Sequence, residues 1–317
     1  EKYNHRESTV RFINSTFLFL LPFLLLAFVY SLFFPGYFSI LPSLAARCSN
    51  SVAATPANAT GPAVDLRVLL GVVTRAEMYE RRALLRLAYA LQPAPARAVV
   101  DVRFFVCSLA REEDAVLVSL EIIAHGDVVV LNCTENMDDG KTHSYFSSLP
   151  ALFADAPYDY DPYDYVMKAD DDIFLRLPRL LASLGAMPRE DAYYGATIPC
   201  GSMDPFREYM SGMAYALSWD VVEWVATSDV PRNRTVGPED RMTGQWLRLG
   251  GRGKNRFNAK PAMYDYPLPA PVDKCSHEFI PDTIAVHRLK DNPRWAETLK
   301  YFNFTKGLEP SKFYKIN

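Results

Sequence analysis

The chain has 317 residues, 49% of them hydrophobic, and a formal net charge of −3 at pH 7. That length supports one large domain or two small ones with ample core. The slightly acidic balance excludes the basic footprint of a nucleic-acid binder, and the chain has no Lys/Arg block, Gly/Ser-rich repeat or internal period.

No charged residue stands between Arg11 and Arg47. Within that window the run FINSTFLFLLPFLLLAFVYSLFF, residues 12–34, supplies the roughly 20 apolar residues that cross a bilayer. Lys2, Arg6 and Arg11 precede it, which puts residues 1–11 on the cytosolic side. The small residues around Ala46 resemble a cleavage site, but the apolar run exceeds the roughly 7–15 residues of a cleaved signal core. An uncleaved signal-anchor is expected, and Pro22 is tolerable in such a helix. Residues 35–64, rich in Ala, Ser, Thr, Asn and Pro, form a stem that cannot bury a core. Residues 65–317 then face the lumen. Asn58, Asn132, Asn233 and Asn303 each open an Asn-X-Ser/Thr sequon there. Five cysteines (Cys48, Cys107, Cys133, Cys200 and Cys275) allow up to two bridges with one left over, at no zinc-ligand spacing.

The lumenal part alternates strand-like and helix-like runs. LRVLLGVV (Leu66–Val73) is continuously apolar, as a strand buried on both faces requires. Residues 78–91 carry apolar side chains at helical spacing, residues 100–109 form a second strand, and residues 112–126 a second helix closed by Gly126. DVVVLN is a third strand, residues 141–153 a helix, and YDYVMKA (Tyr163–Ala169) a fourth strand. This β-α-β-α rhythm predicts an α/β fold with a central, mostly parallel sheet and right-handed crossovers. Further on the pattern loosens, leaving clear helices over Trp219–Thr227 and 239–249.

The fourth strand runs straight into Asp170, Asp171 and Asp172. Two charges about 4 Å apart repel by ~1 kcal/mol in water and ~4 kcal/mol at an effective dielectric near 20, so something must offset them. A helix cap is one option, but the next helix begins at Pro178, six residues further on. A solvated acidic turn is another, although the run continues into the apolar Ile173-Phe174-Leu175. An EF-hand-type calcium loop wants a third acid where Phe174 stands, and an aspartyl-nucleophile phosphatase wants a small or β-branched residue there. A hard divalent cation, which takes carboxylate oxygens and leaves positions open for a diphosphate, is the reading retained.

With these residues in order, the sequence resembles glycosyltransferase family 31, the β-1,3-galactosyltransferase-like enzymes. The resemblance runs over most of residues 66–287. ERRALLRLAY (Glu80–Tyr89) is similar to the family's Arg-rich first helix, with Ala88-Tyr89 where the family usually has Thr-Trp. DDGKTHSYFSSL resembles its acidic-to-Lys-Thr segment, and YDYVMKADDDIFL its metal motif. YMSGMAYALSWDVV resembles its Ser-Gly-x-x-Tyr-x-x-Ser element. GPEDRMTGQWLRLGG resembles its Glu-Asp-x-x-x-Gly helix, with Arg241 where Val is more usual.

The resemblance implies a GT-A-like domain in a type II membrane protein of the Golgi. Its activity would be inverting transfer of galactose or an N-acetylhexosamine from a UDP-sugar to a hydroxyl of a glycan or glycoprotein acceptor, giving a β-1,3 link. It implies that Asp170 and Asp172, joined by His287, hold Mn²⁺ or Mg²⁺, and that Asp171, Lys141, Arg82 and Arg86 serve the donor. Asp240 is then the base, with Glu239, Ser211, Gly212 and Trp246 supporting the site or the acceptor. Without the resemblance, Pro238-Glu239-Asp240 reads as an ordinary helix start, since acids there gain about 0.3–1 kcal/mol from the macrodipole. Met242, Trp246 and Leu249 likewise share helical spacing, as core residues do. A non-catalytic lumenal glycan-binding scaffold or chaperone of the same fold is the alternative function.

Overall fold

Along β1 (Leu66–Val73), Val68, Leu70 and Val72 enter one hydrophobic core and Leu69 and Val73 enter another. Alternate side chains of a strand point to opposite faces, so the uninterrupted apolar run marks a strand covered on both sides. In this computed structural model, residues 64–93, 97–154, 161–267 and 274–304 are described. They belong to one compact unit, Gly61–Asn317. The expected cytosolic tail, signal-anchor and stem up to residue 63, with Cys48 and Asn58, lie outside them. No helix among the described residues is long and apolar enough to cross a membrane.

The main sheet has seven strands. The others are β2 (Ala98–Cys107), β3 (Val128–Leu131), β4 (Tyr165–Asp170), β6 (Ala192–Ile198), β7 (Tyr209–Ser218) and β8 (Asn255–Asn258), in the order β3-β2-β1-β4-β7-β6-β8. The half built from β3, β2, β1 and β4 is parallel, as the β-α-β rhythm predicts. The expectation of a mostly parallel sheet fails beyond β4. There β7 runs antiparallel to both β4 and β6, and the sheet is mixed. The physical reason is connectivity: no crossover helix separates β6 from β7, and strands joined without one pair antiparallel.

Eight helices lie among the described residues: α1 (Tyr79–Ala90), α2 (Glu112–His125), α3 (Lys141–Leu152), α4 (Leu177–Gly185), α5 (Trp219–Thr227), α6 (Asp229–Arg232), α7 (Glu239–Gly250) and α8 (Asn292–Tyr301). Gly126 closes α2 in the left-handed region at φ 65°, donating its N–H to the Ile122 carbonyl at 2.9 Å. Leu85 of α1 and Leu180 and Leu184 of α4 pack on one face of the sheet. Tyr145 and Phe146 of α3, Val222 of α5 and Leu247 of α7 pack on the other.

A second sheet of very short strands sits at the end of β4. Its order is β5 (Phe174–Leu175), β10 (Ala285–His287), β9 (Met263–Asp265). Val286 pairs with Phe174 and His287 with Asp265, which brings a residue from far along the chain beside the three aspartates. Cys107–Cys133 and Cys200–Cys275 form the two disulfides among the described residues.

Candidate active site

Asp170 ends β4 and Asp171 and Asp172 follow it, at the carboxyl edge where ligands bind in open α/β sheets. Their repulsion is offset first by separate cationic partners. Asp170 accepts from Lys168 at 2.6 Å. Asp171 accepts from the Thr74 hydroxyl at 2.6 Å and from Arg81 at 3.0 Å. Asp172, its side chain 9% exposed, lies 3.1 Å from Nε2 of His287 and 3.7 Å from Lys290.

Asp170, Asp172 and His287 form a metal-competent group, with ligand atoms all within 4.8 Å of one another. The other ring nitrogen of His287, Nδ1, lies 2.7 Å from Oδ1 of Asp265. A histidine held on its far side by a carboxylate is the arrangement that fixes a ligand imidazole's tautomer and ring orientation. The donor set therefore fits a divalent ion. Burial opposes charge on His287, but its hydrogen bonds to Asp170, Asp172 and Asp265 outweigh burial and hold its pKa well above the usual imidazole range. Burial likewise opposes ionisation of Asp170, but Lys168 and His287 bring its pKa down to about 2.

Lys168 joins this group to α7. Its fully buried ammonium donates to Asp170, to the Gly212 carbonyl at 2.7 Å and to Oε1 of Glu239 at 2.7 Å. Burial opposes its charge, but Asp170 and Glu239 more than compensate and keep it protonated. The other oxygen of Glu239 accepts from the Tyr215 hydroxyl at 2.8 Å and from Thr142 at 3.4 Å. Both oxygens of Glu239 are thus occupied inside the protein. Burial pushes its pKa up, Lys168 opposes that and Asp170 adds to it.

Asp240, the next residue, is only half-buried. Its Oδ2 accepts the Gly212 N–H at 3.0 Å and its Oδ1 accepts the Arg241 N–H at 2.7 Å. Gly212 makes this approach geometrically feasible. A Cβ there would stand 2.5 Å from Oε1 of Glu239 and 3.4 Å from Oδ2 of Asp240. Ser211 precedes it on β7, half-buried.

A cavity of about 860 Å³ opens over the metal-competent group. Arg75, Arg81, Lys141, Arg288 and Lys290 line it together with the aspartates and His287. Lys141, expected at the donor, is 1% exposed and pairs with Glu135 and the Thr74 carbonyl, so it forms part of the wall. Burial lowers its pKa although Glu135 opposes the shift.

Two expectations are corrected. Arg82 and Arg86 do not reach this cavity. Arg82 is fully buried, bonded to Glu121 and to the carbonyls of Arg75 and Ala76. Arg86 forms a bidentate pair with Asp127, both bonds 2.8 Å. They fix α1 to α2 and the loop after β1, while their neighbour Arg81 takes the cavity side. Trp246, a candidate acceptor platform, is 1% exposed and donates to the Arg234 carbonyl at 2.6 Å, so it belongs to the core. The departure at Ala88-Tyr89 is also internal: both are buried, and the Tyr89 hydroxyl donates to the Ile173 carbonyl at 3.3 Å, under the aspartate loop. Asn132, Asn233 and Asn303 are exposed.

Sequence reasoning missed Lys168, Asp265, Arg81 and Lys290. Lys168 carried a signal, since a lysine inside an apolar strand two residues before Asp170 shares its face of the strand.

No family model matches the chain. It is 28% identical to the β-1,3-galactosyltransferase pvg3 of Schizosaccharomyces pombe over 74% of this chain and 74% of that protein. It is 22% identical to the hydroxyproline O-galactosyltransferase GALT2 of Arabidopsis thaliana over 65% of this chain, which spans only 31% of that longer protein. Among solved structures, the galactosyltransferase LgtC with donor and acceptor sugar analogues aligns with 78% of this chain and 99% of its own, at 12% identity and a TM-score of 0.43. The chain is a homologue of the β-1,3-galactosyltransferase-like glycosyltransferases.

Proposed function

We propose that the protein transfers a hexose, galactose or an N-acetylhexosamine, from a UDP-sugar to a hydroxyl of a glycan or glycoprotein, with inversion and a β-1,3 linkage. The observation that carries this reading is the Asp170–Asp172–His287 group in the lining of a cavity that also carries Arg75, Arg81, Arg288 and Lys290, tied through Lys168 to Glu239 of α7. The resemblance to β-1,3-galactosyltransferases supports it. Asp170, Asp172 and His287 would hold Mn²⁺ or Mg²⁺, which when bound supplies positive charge to the departing diphosphate. Arg81 and Lys290 add cationic charge on the same wall.

In this reading Asp240 accepts the proton of the acceptor hydroxyl as its oxygen bonds to the sugar's anomeric carbon and the bond to UDP breaks. Its two backbone hydrogen bonds, from Gly212 and Arg241, hold it in place while leaving it open to solvent. Glu239 is the positioning group, because its oxygens are held by the buried Lys168 ammonium and the Tyr215 hydroxyl, whereas Asp240 is held by backbone N–H groups alone. The topology that accompanies the reading is a single-pass type II protein of the Golgi membrane, with residues 12–34 as anchor, 35–64 as stem and the α/β domain, GT-A-like, in the lumen.

The test follows the thermal midpoint of the protein with Mn²⁺, with UDP, with both, and with EDTA, beside Asp172→Ala. A ligand at 100 times its dissociation constant adds about 2.7 kcal/mol of stability. The expected result is a rise that needs both Mn²⁺ and UDP and is lost in Asp172→Ala, followed by turnover of UDP-galactose. No shift with any nucleotide would overturn the reading in favour of a glycan-binding scaffold.

A further inference from the structure

Three consecutive residues in the first turn of α7 meet three different surroundings. Glu239 meets Lys168, Asp240 meets the Gly212 N–H, and Arg241 lines a second cavity of about 530 Å³. This cavity shares no lining residue with the one over the metal-competent group. Arg207, Arg241 and Arg248 line it, and Glu208 is the one carboxylate among its lining residues. Arg241, Gln245 and Arg248 stand at helical spacing along α7, which brings them onto one face.

Among the described residues, none of these three guanidinium groups has a hydrogen-bond or ion-pair partner. Other arginines of the domain are held in ion pairs, Arg82 with Glu121, Arg86 with Asp127 and Arg252 with Asp220 among them. Three exposed guanidinium groups line one concavity with a single acid beside them, a surface whose charge favours an anionic ligand. A planar guanidinium fork matches the paired oxygens of carboxylate, sulfate and phosphate.

We propose that this cavity is a subsite for an anionic group on the acceptor glycan, so that the acceptor is an acidic rather than a neutral sugar. The proposal rests on the transferase reading and names its substrate class. Gly237 and Pro238, just before α7, and Arg241 in its first turn line the arginine cavity, while Lys168 ties Glu239 of the same turn to Asp170 of the metal-competent group, and Asp240 is the residue between Glu239 and Arg241. An acceptor anchored there by its charge would present a hydroxyl toward Asp240, the neighbour of Arg241.

The experiment uses the full chain with UDP-galactose, Mn²⁺ and one galactose-terminated disaccharide in neutral, carboxylated and sulfated forms. Hydrogen bonds to a charged group are worth about tenfold each. The expected result is a kcat/KM at least about tenfold higher for an anionic form than for the neutral one, shrinking as salt screens the charges. In the double variant Arg241→Gln/Arg248→Gln the ratio falls toward one, while Arg97→Gln, on an exposed pair with Asp65, preserves it. The carboxylated and sulfated arms separate a uronate-like from a sulfate-like acceptor. Calorimetric titration of the three disaccharides onto the protein loaded with Mn²⁺ and UDP reads the same preference without turnover. If no sugar is transferred and UDP with Mn²⁺ gives no thermal shift, the transferase reading fails, and titration of the disaccharides alone still judges the subsite. Equal use and equal binding of neutral and anionic forms, or a preference that survives in the double variant, would overturn the subsite.

Discussion

Nζ of Lys168 lies 2.7 Å from Oε1 of Glu239 and 2.6 Å from Oδ1 of Asp170, so one buried ammonium bridges the metal-competent group and the helix that carries Asp240. Without it Oδ1 of Asp170 and Oε1 of Glu239 each lose their charged partner. Removing one partner of a buried ionic network leaves an uncompensated charge and costs about 3–5 kcal/mol. Lys168→Met is expected to lose stability in that range, lowering the thermal midpoint by roughly 10 °C at 2–4 °C per kcal/mol for a domain of this size. Denaturant unfolding beside the wild type checks it; a loss under 1 kcal/mol would show that the bridge is not structural.

Asp265 makes no direct claim on the metal position, yet it holds Nδ1 of His287 at 2.7 Å. Loss of such an outer partner typically weakens metal binding 10–100-fold. Asp265→Asn, which keeps the shape but not the charge, is expected to weaken Mn²⁺ binding by about that factor. Titration followed by the electron paramagnetic resonance signal of free Mn²⁺ reads the affinity directly. An unchanged affinity would remove His287 from the ligand set.

How much of this was legible in the sequence depends on range and length. The continuous apolar run of β1 and the Asp run after β4 are local signals, and both sit where the pattern put them. The second sheet was not readable, because strands of two or three residues carry no period, and the His287–Asp265 contact depends on their pairing. Helical spacing put Arg82 and Arg86 on one face of α1 but did not say which face looked at the site. Glu121 and Asp127, from α2 and the turn before β3, claimed that face instead. The β6–β7 pairing broke the parallel expectation for the same reason, since nothing local announces the missing crossover.

Gly212→Ala tests how closely the carboxylates of α7 must approach β7. The new methyl would stand 2.5 Å from Oε1 of Glu239, which cannot swing away without leaving Lys168 or Tyr215. The helix start must shift instead, and Asp240 with it. A misplacement of about 1 Å at a reacting group can cost 10²-fold in rate. The expected outcome is a loss of kcat of that order in the transferase assay, with KM for the UDP-sugar little changed. Wild-type kcat in this variant would mean that Asp240 is not positioned by Gly212.

Glu121 is one carboxyl whose charge makes the fold sensitive to acid. Its carboxylate lies between Arg82 and Arg86, 2.5 Å from Nη2 of the first and 2.7 Å from Nη2 of the second. Burial raises its pKa, but the hydrogen bonds and charges of both arginines outweigh burial and leave it below the usual glutamate range. A carboxyl depressed in the folded state stabilises the protein above its unfolded pKa of about 4.3, and that contribution is lost as pH falls through the folded value. Glu121→Gln removes the charge at every pH and strands Arg82, which is fully buried. The variant is therefore expected to be about 3 kcal/mol or more less stable at pH 7, and the gap to wild type should close as both are titrated downward past pH 4. Thermal midpoints of the two proteins between pH 7 and pH 3 measure the gap. A gap constant with pH would mean that the lost stability comes from packing and not from the Glu121 charge.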